Sequence, residues 1–486
     1  MMKRVLLMER VMDQTRLAVV EDGLLCELYQ QTPGAENLSG NIYLGRVENV
    51  LPGINAAFVD IGTEKNGFLG AGDIRLFAQD DGALATLLGK ARIEQLVRPG
   101  QQILVQVIRS QPGAKGPRLS CYVTLPGRLM VLLAGVRYAG VSRKIADAGE
   151  RARLRALGLS LTEDGQDGVI LRTAAQGASE ERLRSEYALL KAQWADMKGR
   201  AEFMRAPKLV YDDNDLALHA ARDMLAEDVE AVWSDDRQCC ERLLACANVM
   251  APDLSDRIRL HTGETPLFDL YRVDAQLDRA LQRYVWLKSG GSLVIDETEA
   301  LTVVDVNTGK NTGKQDADDT ILAANCEAAR ELMRQLRLRD IGGMIVVDFI
   351  DMHRPGDRET LMQVLRECAA NDRNRTRVVD ITALGLVELT RKRARQSLSR
   401  QMNHVCANCD GNGMVPSHET TARRALRELW RRRRRGDDTA LRLEAVPAIC
   451  GWIKKIGIPE GGAVTLSPSE AVGEGEYRLT PLQREH

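Results

Sequence analysis

The sequence has 486 residues, with 67 Lys and Arg against 68 Asp and Glu, and a formal net charge of −1. Its length predicts several domains, and 44% apolar with 28% charged residues excludes a largely disordered chain. The first apolar run is broken at Glu9 and Arg10, and no apolar stretch approaches the roughly 20 residues of a membrane span. Ten cysteines without a regular framework favour reduced thiols. We therefore expect a cytoplasmic protein without a membrane span.

The N-terminal part of the chain is rich in short β runs. Residues 4–31 alternate apolar and polar side chains with a turn at Glu21 to Gly23, which predicts strands. Between residues 40 and 121, further short runs are separated by glycine, which predicts a small barrel. Barrels of the oligonucleotide-binding type stack bases on open aromatic rings, and Phe58 and Phe68 are the candidates. The alternative is that each ring belongs to the barrel core.

Residues 122–217 are mixed in character, with a charged helix expected near Ser179 to Lys198, and residues 218–288 favour helices. Two apolar runs, "SLVID" and "LTVVDVN", then predict paired strands, with Asp305 near the end of the second. An amphipathic helix follows from residue 316 to residue 340, and "GGMIVVDFIDM" predicts another buried strand with Asp348 and Asp351 towards its end.

A strand, a crossover helix and a second strand form a βαβ unit, in which ligands gather at the carboxyl ends of the strands. Asp305 and Asp348 are therefore expected side by side. Two buried carboxylates this close would raise each other's pKa unless a cation neutralised them, and a hard ion such as Mg²⁺ suits them. Asn307 lies on the same side of the extended chain and could hold a water or a phosphate oxygen. The alternative for either aspartate alone is a helix cap.

The stretch "VVDVNTGKNTGK" could instead form a phosphate-binding loop, but its spacing excludes a Walker A motif. Gly309 and Gly313 enclose three residues where that motif needs four, and Lys314 is followed by Gln315 rather than Ser or Thr. The lysines remain suited to contact a substrate phosphate.

The C-terminal part carries two further signals. Between Arg391 and Arg435 there are thirteen Lys and Arg against three acidic residues, which points to a polyanionic partner, although "RRRRR" alone also fits a solvated helix face. Cys406 and Cys409 form one CxxC motif, which cannot fill the four positions of a Zn²⁺ site. The motif therefore suggests that a second chain supplies the remaining ligands. His404 is a less favoured third ligand within one chain.

Together these motifs resemble the ribonuclease E/G family over nearly the whole chain. "GNIYLGRVENVLPGINAAFVDIG" is similar to its S1 RNA-binding barrel, "GVSRKI" and "ILRTAAQG" to its 5′-end sensor, and "VVDVNT" and "IVVDFIDM" to its catalytic strands. "HVCANCDGNG" resembles its zinc link, except that Ala407 stands where the family usually has proline. The short chain resembles the shorter members of the family, and a tail-less form of the longer member also fits.

The resemblance implies an α/β and β multidomain fold with an OB-type S1 barrel. The implied parts are an RNase H-like subdomain (1–36 plus 218–275), the S1 domain (37–121), a 5′-sensor subdomain (122–217), a DNase I-like catalytic subdomain (276–402), a zinc link (403–416) and a small C-terminal domain (417–486).

The resemblance also implies residue roles. Asp305 and Asp348 would hold a catalytic Mg²⁺ with Asn307 assisting, and Cys406 and Cys409 would share a structural Zn²⁺ with a second chain. The implied RNA-binding residues are Phe58, Phe68 and Lys115, and the implied 5′-phosphate sensor residues are Gly127, Val131, Arg172 and Thr173.

The implied activity is Mg²⁺-dependent cleavage of single-stranded, A/U-rich RNA with a preference for 5′-monophosphate ends. The products would carry 3′-hydroxyl and 5′-phosphate ends, and the processes would be rRNA maturation and messenger decay. The implied assembly is a homodimer through shared zinc or a homotetramer. Two alternatives from other classes are a non-catalytic S1-type RNA-binding protein and a nucleotide hydrolase that uses Lys310 and Lys314.

Overall fold

The computed structural model describes residues 3–32, 38–74, 92–109, 116–308, 317–393 and 395–482. The chain divides into two units, Met1–Leu398 and Ser399–His486. Among the described residues, the first unit contains four β-sheets and the second contains one. Within the described ranges, no helix is long and apolar enough to cross a membrane.

The chain opens with an antiparallel meander, as the alternating pattern predicts. Its strands are β1 (Arg4–Val11), β2 (Gln14–Glu21) and β3 (Leu24–Gln31). The turn between β2 and β3 places Asp22 and Gly23 at positive φ, a conformation that short polar residues and glycine tolerate best.

A closed barrel of the OB-like kind follows, which confirms the predicted small barrel. Its elements are β4 (Ile42–Leu51), β5 (Ala56–Asp60), β6 (Gly67–Gly70), α1 (Ile93–Leu96), β7 (Gln102–Arg109) and β8 (Arg118–Ser120). Pairing of β4 with both β5 and β7 closes the ring of five strands. Gly67 is required by the packing, since a Cβ at this position would lie 2.4 Å from Leu119 Cδ1.

A four-stranded sheet with two long helices comes next. Its elements are β9 (Thr124–Pro126), β10 (Met130–Leu133), β11 (Ala139–Val141), α2 (Ala148–Leu161), β12 (Gly168–Leu171) and α3 (Glu180–Glu202). Ser179 caps α3 by accepting a hydrogen bond from Arg182 N, so the predicted charged helix is confirmed. After α3, β13 (Lys208–Tyr211) pairs with β4 at the barrel.

The chain then returns to its first sheet. The elements are α4 (Leu216–His219), β14 (Val229–Ser234), α5 (Arg237–Met250), β15 (Ile258–Leu260), α6 (Leu267–Leu270) and α7 (Val273–Ala280). Strand β14 pairs in parallel with β1, and β15 with β14, so that segments more than 200 residues apart share one sheet. Separate apolar cores cover its two faces.

The last sheet of the first unit carries the predicted strand–helix–strand unit. Its elements are β16 (Tyr284–Trp286), β17 (Ser292–Glu297), β18 (Leu301–Asn307), α8 (Ala317–Leu338), β19 (Gly343–Asp348), α9 (Pro355–Ala370), β20 (Thr376–Ile381) and β21 (Val387–Arg391). The strand order is β16-β17-β18-β19-β21-β20, and β18 and β19 are parallel. Helices α8 and α9 pack with one face of the sheet in a single apolar core.

Buried ion pairs join α8 to the first sheet. Arg337 donates to Glu21 at 2.8 Å and to Glu27 at 2.7 Å, and all three side chains are buried. Burial alone would favour the neutral acid, but hydrogen bonds and charge from Arg337 and Arg4 hold the pKa of Glu21 at about 2. These carboxylates are therefore ionised and paired at neutral pH.

The second unit is a small α/β fold. The short helix α10 (Leu398–Met402) begins at the last residue of the first unit, and the remaining elements are α11 (His418–Arg434), β22 (Leu441–Ala445), α12 (Pro447–Ile456), β23 (Val464–Pro468) and β24 (Arg478–Pro481). Its sheet has the order β23-β22-β24, and α11 and α12 share an apolar core with it.

Candidate active site

Two aspartates meet where β18 and β19 end. Asp305 is the direct partner of Asp348 in the parallel ladder, as the strand–helix–strand pattern predicts. Neighbouring strands lie about 4.8 Å apart, so the carboxylates are within reach of one ion. The alternation of side chains places Val304 and Val347 in the core and both aspartates on the opposite face.

The expectation that the two carboxylates are buried is wrong, because both are exposed. Helices α8 and α9 cover the other face of this sheet, and the face that carries Asp305 and Asp348 remains open to solvent. The pair is thus accessible to a substrate and to a hydrated cation. Repulsion between the neighbouring charges still favours a cation at this position.

Asn307 lies two residues after Asp305 on the same open face. Its Nδ2 donates a hydrogen bond to Asp305 Oδ2 at 2.6 Å. This contact limits the orientations available to the carboxylate, and it leaves the second amide hydrogen and the carbonyl oxygen of Asn307 for other ligands.

Asn325 on α8 is a positioning residue that the sequence pattern did not single out. Its side chain is completely buried, donates to Ile350 O at 2.8 Å and accepts from Ile350 N at 3.1 Å. This reciprocal pair fixes the backbone two residues after Asp348. A polar residue on the buried side of a predicted amphipathic helix was the available signal.

The sequence pattern also did not single out two aromatic residues on the open face. Tyr284 and Trp286 are 49% and 74% exposed. Tyr284 pairs with Val294 of β17, and Val294 pairs with Asp305, so Tyr284 and Asp305 lie in one row across the sheet. In the same way, Trp286 lies in one row with Asn307. The alternation in "YVW", with Val285 buried between them, was the signal.

The barrel aromatics face each other on the outer side of the barrel. Phe58 and Phe68 are direct partners across β5 and β6, with ring centroids 6.1 Å apart in an edge-to-face arrangement. Both are half-buried, whereas Val59 and Leu69 beside them are buried in the core. The alternative that these rings form the barrel core is therefore wrong. Lys115 lies outside the described residues.

Three of the four predicted sensor residues lie close to one another. Arg172 follows β12, donates to Gly127 O at 2.6 Å and pairs with Asp223 at 2.6 Å. The hydroxyl of Thr173 lies 2.9 Å from that of Ser142. Two of the five N–H donors of the Arg172 guanidinium group are used in these contacts, so the group keeps donors that could bind a phosphate.

The fourth sensor residue, Val131, and the half-buried acid Asp223 belong to the same region. Val131 on β10 is the partner of Pro126 and of Ile170, so it is a backbone neighbour of the site rather than a polar contact. Burial opposes ionisation of Asp223, but Arg222 and then Arg172 hold its pKa below the usual range. Asp223 is thus a charged anchor for Arg172.

The CxxC pair lies in the second unit. Cys406 is exposed, and backbone N–H groups of Cys409 and Asn408 lower the pKa of its thiol. Gly413 N donates to Cys409 Sγ at 3.3 Å. The donors around Cys406 favour its thiolate, the form that binds metal.

Each candidate metal site described above consists of two side chains. Across the described ranges, no group of three or more His, Cys, Asp or Glu side chains is placed to hold a metal ion. His404 therefore does not join the two cysteines, and the alternative of a third ligand within one chain finds no support. Two carboxylates suffice for Mg²⁺, which keeps several waters, whereas two thiolates supply half of a tetrahedral Zn²⁺ site.

The fold and this site define a class: mixed α/β multidomain proteins that combine an OB-like barrel with a pair of aspartates on an open sheet face. The sequence profile of the ribonuclease E/G family matches residues 124–394. Ribonuclease G of Escherichia coli K12 is 38% identical over 445 residues, which is 91% of this chain and 90% of that protein. The chain belongs to the ribonuclease E/G family, and the predicted resemblance is confirmed.

Other relatives distinguish the two branches by length. Ribonuclease G of Haemophilus influenzae is 39% identical over 428 residues, covering 88% of this chain and 87% of that protein. Ribonuclease E of Escherichia coli K12 is 37% identical over 430 residues, which is 88% of this chain but 40% of that protein. Similarity to ribonuclease G thus extends over most of both chains.

The contact between Asn325 and Ile350 generates a prediction. Asn325→Ala leaves the part-buried N–H and C=O of Ile350 without their Asn325 partners, so we expect the free energy of unfolding to fall by about 1–3 kcal/mol. Hydrogen–deuterium exchange at residues 348–352 should accelerate beyond what this loss of stability alone produces. The measurement is exchange detected by mass spectrometry.

Leu361→Ala on α9 is the matched control. Leu361 is completely buried in the same core, and its truncation costs about 2–5 kcal/mol without removing the hydrogen bonds between Asn325 and Ile350. If Asn325→Ala and Leu361→Ala gave the same exchange at residues 348–352, the positioning role would be wrong.

Proposed function

We propose that this protein is a Mg²⁺-dependent endoribonuclease that cuts single-stranded, A/U-rich RNA and prefers substrates with a 5′-monophosphate. The observation that carries the proposal is the pair of Asp305 and Asp348 on the open face of the sheet, in a chain of the ribonuclease E/G family. We further propose roles in rRNA maturation and messenger decay. A cytoplasmic location is consistent with ten free cysteines.

The endoribonuclease activity itself follows from the family. The relatives named ribonuclease G match this chain over about nine-tenths of both sequences at 38% identity. This chain is accordingly an endoribonuclease. The metal, the substrate preference and the assembly belong to the proposal.

The proposed chemistry uses the open face of the sheet. Asp305 and Asp348 would hold Mg²⁺, and Asn307 orients the first of these carboxylates. When bound, the ion supplies positive charge for the transition state and promotes ionisation of water. Attack by water oxygen on phosphorus breaks the bond to the 3′ oxygen, which takes up a proton. The products are a 3′-hydroxyl and a 5′-phosphate end.

The decisive variant is Asp348→Asn in the full chain. We expect cleavage of an A/U-rich oligonucleotide to fall by about 10³-fold or more, because a site that holds metal contributes several kcal/mol to transition-state stabilisation. RNA affinity should change little, and chelator should abolish the wild-type activity. The measurements are single-turnover cleavage and fluorescence anisotropy.

Asp351→Asn is the matched control, since Asp351 is also exposed and lies just after β19. It should cleave at nearly the wild-type rate. Wild-type cleavage in chelator, or equal rates for Asp348→Asn and wild type, would contradict the metal site. Absence of cleavage by the wild type would favour a non-catalytic RNA-binding protein.

The barrel would hold the single strand around the cleavage site. We propose that the closed barrel is the S1 domain and that Phe58 and Phe68 stack bases of the single strand, together with Lys115. Support comes from the half-exposed position of both rings on the outer side of the barrel. Exposed aromatic rings on such barrels are sequence-tolerant stacking platforms, which suits an enzyme with many substrates.

A 5′-end sensor is proposed at Arg172 and Thr173, with Gly127 and Val131 beside them. Arg172→Gln should remove the preference for a 5′-monophosphate, because a guanidinium bond to phosphate contributes about tenfold or more in affinity. Cleavage of otherwise identical 5′-phosphate and 5′-hydroxyl oligonucleotides measures this preference. The rate on the 5′-hydroxyl substrate reports whether the variant is folded.

Arg182→Gln is the control for the sensor. Arg182 pairs with exposed Asp253 and is half-exposed itself, so its loss should keep the preference for the 5′-monophosphate. Equal wild-type rates on both substrates would contradict the sensor assignment.

We propose the subdomain boundaries that the family resemblance implies. The first sheet, which draws strands from residues 4–31 and 229–260, supports an RNase H-like subdomain assembled from two segments. The sheet from Tyr284 to Arg391 supports the DNase I-like subdomain, and the unit Ser399–His486 supports the zinc link with the small C-terminal domain.

We also propose that Cys406 and Cys409 share one Zn²⁺ with a second chain, giving a homodimer or a homotetramer. Cys406→Ser should lower the zinc content of the protein and its oligomeric state in analytical ultracentrifugation. A tetrahedral Zn²⁺ site formed by two chains would lose one thiolate from each chain. Cys239→Ser, at a half-buried free thiol, should leave both unchanged. An unchanged assembly for Cys406→Ser would disprove the zinc bridge.

A further inference from the structure

Helix α11 of the second unit has one face in the core and one face in solvent. Its buried apolar residues, at helical spacing, pack with β22, β24 and α12; they are Ala422, Ala425, Leu426 and Leu429. The helix is thereby fixed in orientation, and the opposite face remains exposed for a partner.

The exposed face of α11 is a stripe of arginines around one tryptophan. Arg423, Arg427, Arg431 and Arg434 recur every three or four residues, and Trp430 lies among them. We call this set the Arg–Trp face. From the first to the last of these residues the helix rises about 16 Å.

The charge of this face is poorly compensated. The helix has seven arginines against two glutamates, and the ion pairs made by those glutamates are with Arg423 and Arg432. Within the part of the chain that the structure describes, no carboxylate lies within ion-pair distance of Arg427, Arg431 or Arg434. Like charges four residues apart destabilise a helix, so this stripe is unfavourable for the free protein.

Trp430 adds an aromatic surface to these charges. Its side chain is 51% exposed, and the guanidinium carbon of Arg434 lies 5.1 Å from the ring centroid. Surface indole rings beside arginines suit the stacking of a nucleobase, while the guanidinium groups suit phosphates.

We propose that the Arg–Trp face is a second RNA-binding surface; it belongs to the second unit, whereas the barrel and the aspartate pair belong to the first. Its arginines contact the phosphates of a single strand, and Trp430 stacks on a base. The choice of RNA as the polyanion rests on the proposed function. A membrane surface is the less suitable partner, because an amphipathic helix inserts its apolar side and the apolar side of α11 lies in the core.

The test uses the full chain carrying Asp348→Asn, so that RNA is not cut. We introduce the triple variant Arg427→Gln, Arg431→Gln and Arg434→Gln, and separately Trp430→Ala. Affinity for an A/U-rich single strand is measured by fluorescence anisotropy over a series of salt concentrations. The triple variant should bind at least about tenfold more weakly, and its salt slope should fall by about 2, since each phosphate contact contributes about 0.7.

Trp430→Ala should bind about tenfold more weakly with an unchanged salt slope, because stacking releases no counterions. The control is the triple variant Arg442→Gln, Lys454→Gln and Lys455→Gln, which removes three exposed cations from the same unit. Lys455 lies over Trp452 at 4.6 Å, so the control also contains a cation–aromatic pair. It should bind as the parent does.

Three results would overturn the proposal. The first is equal affinity and salt slope for the α11 triple variant and the control. The second is a changed sedimentation coefficient of the α11 variants with unchanged RNA affinity, which would make the face a subunit interface. The third is loss of binding to vesicles of equal phosphatidylcholine and phosphatidylglycerol with unchanged RNA affinity. Cleavage of the same RNA by wild type separately reports on the proposed function.

Discussion

The parallel pairing of β18 with β19 is the constraint on which the candidate active site depends. It sets Asp305 directly opposite Asp348, although 42 residues separate them in the chain. Helix α8 provides the crossover, and its buried Asn325 holds the backbone beyond Asp348. The same helix is tied by Arg337 to the first sheet, so the position of the aspartate pair depends on contacts well outside its own strands.

The open face gives the pair its chemical character. Carboxylates that face solvent can accept a hydrated divalent cation, which a sealed core would exclude. Asn307 restrains one carboxylate, and Tyr284 and Trp286 extend the same face with exposed rings.

The sequence was sufficient for features that rest on local periodicity. The apolar runs around Asp305 and Asp348 and the helical spacing between them predicted the βαβ unit, and glycine-separated runs predicted the barrel. It failed where tertiary packing decides. Exposure of the aspartates depends on which face α8 and α9 cover, and the role of Asn325 depends on a contact with Ile350, 25 residues away. Hydrophobic spacing does not tell which face the helices cover, and it shows Asn325 as a polar residue on the buried side of a helix without showing its partner.

The central claim is that Asp305 and Asp348 together hold a divalent ion. Isothermal titration calorimetry of the full chain with Mg²⁺, without RNA, measures this binding directly. We predict a site in the wild type and in Asp351→Asn, and an affinity at least about tenfold lower in Asp305→Asn, because half of the carboxylate ligands is lost. Equal Mg²⁺ affinity in wild type and Asp305→Asn would contradict the account.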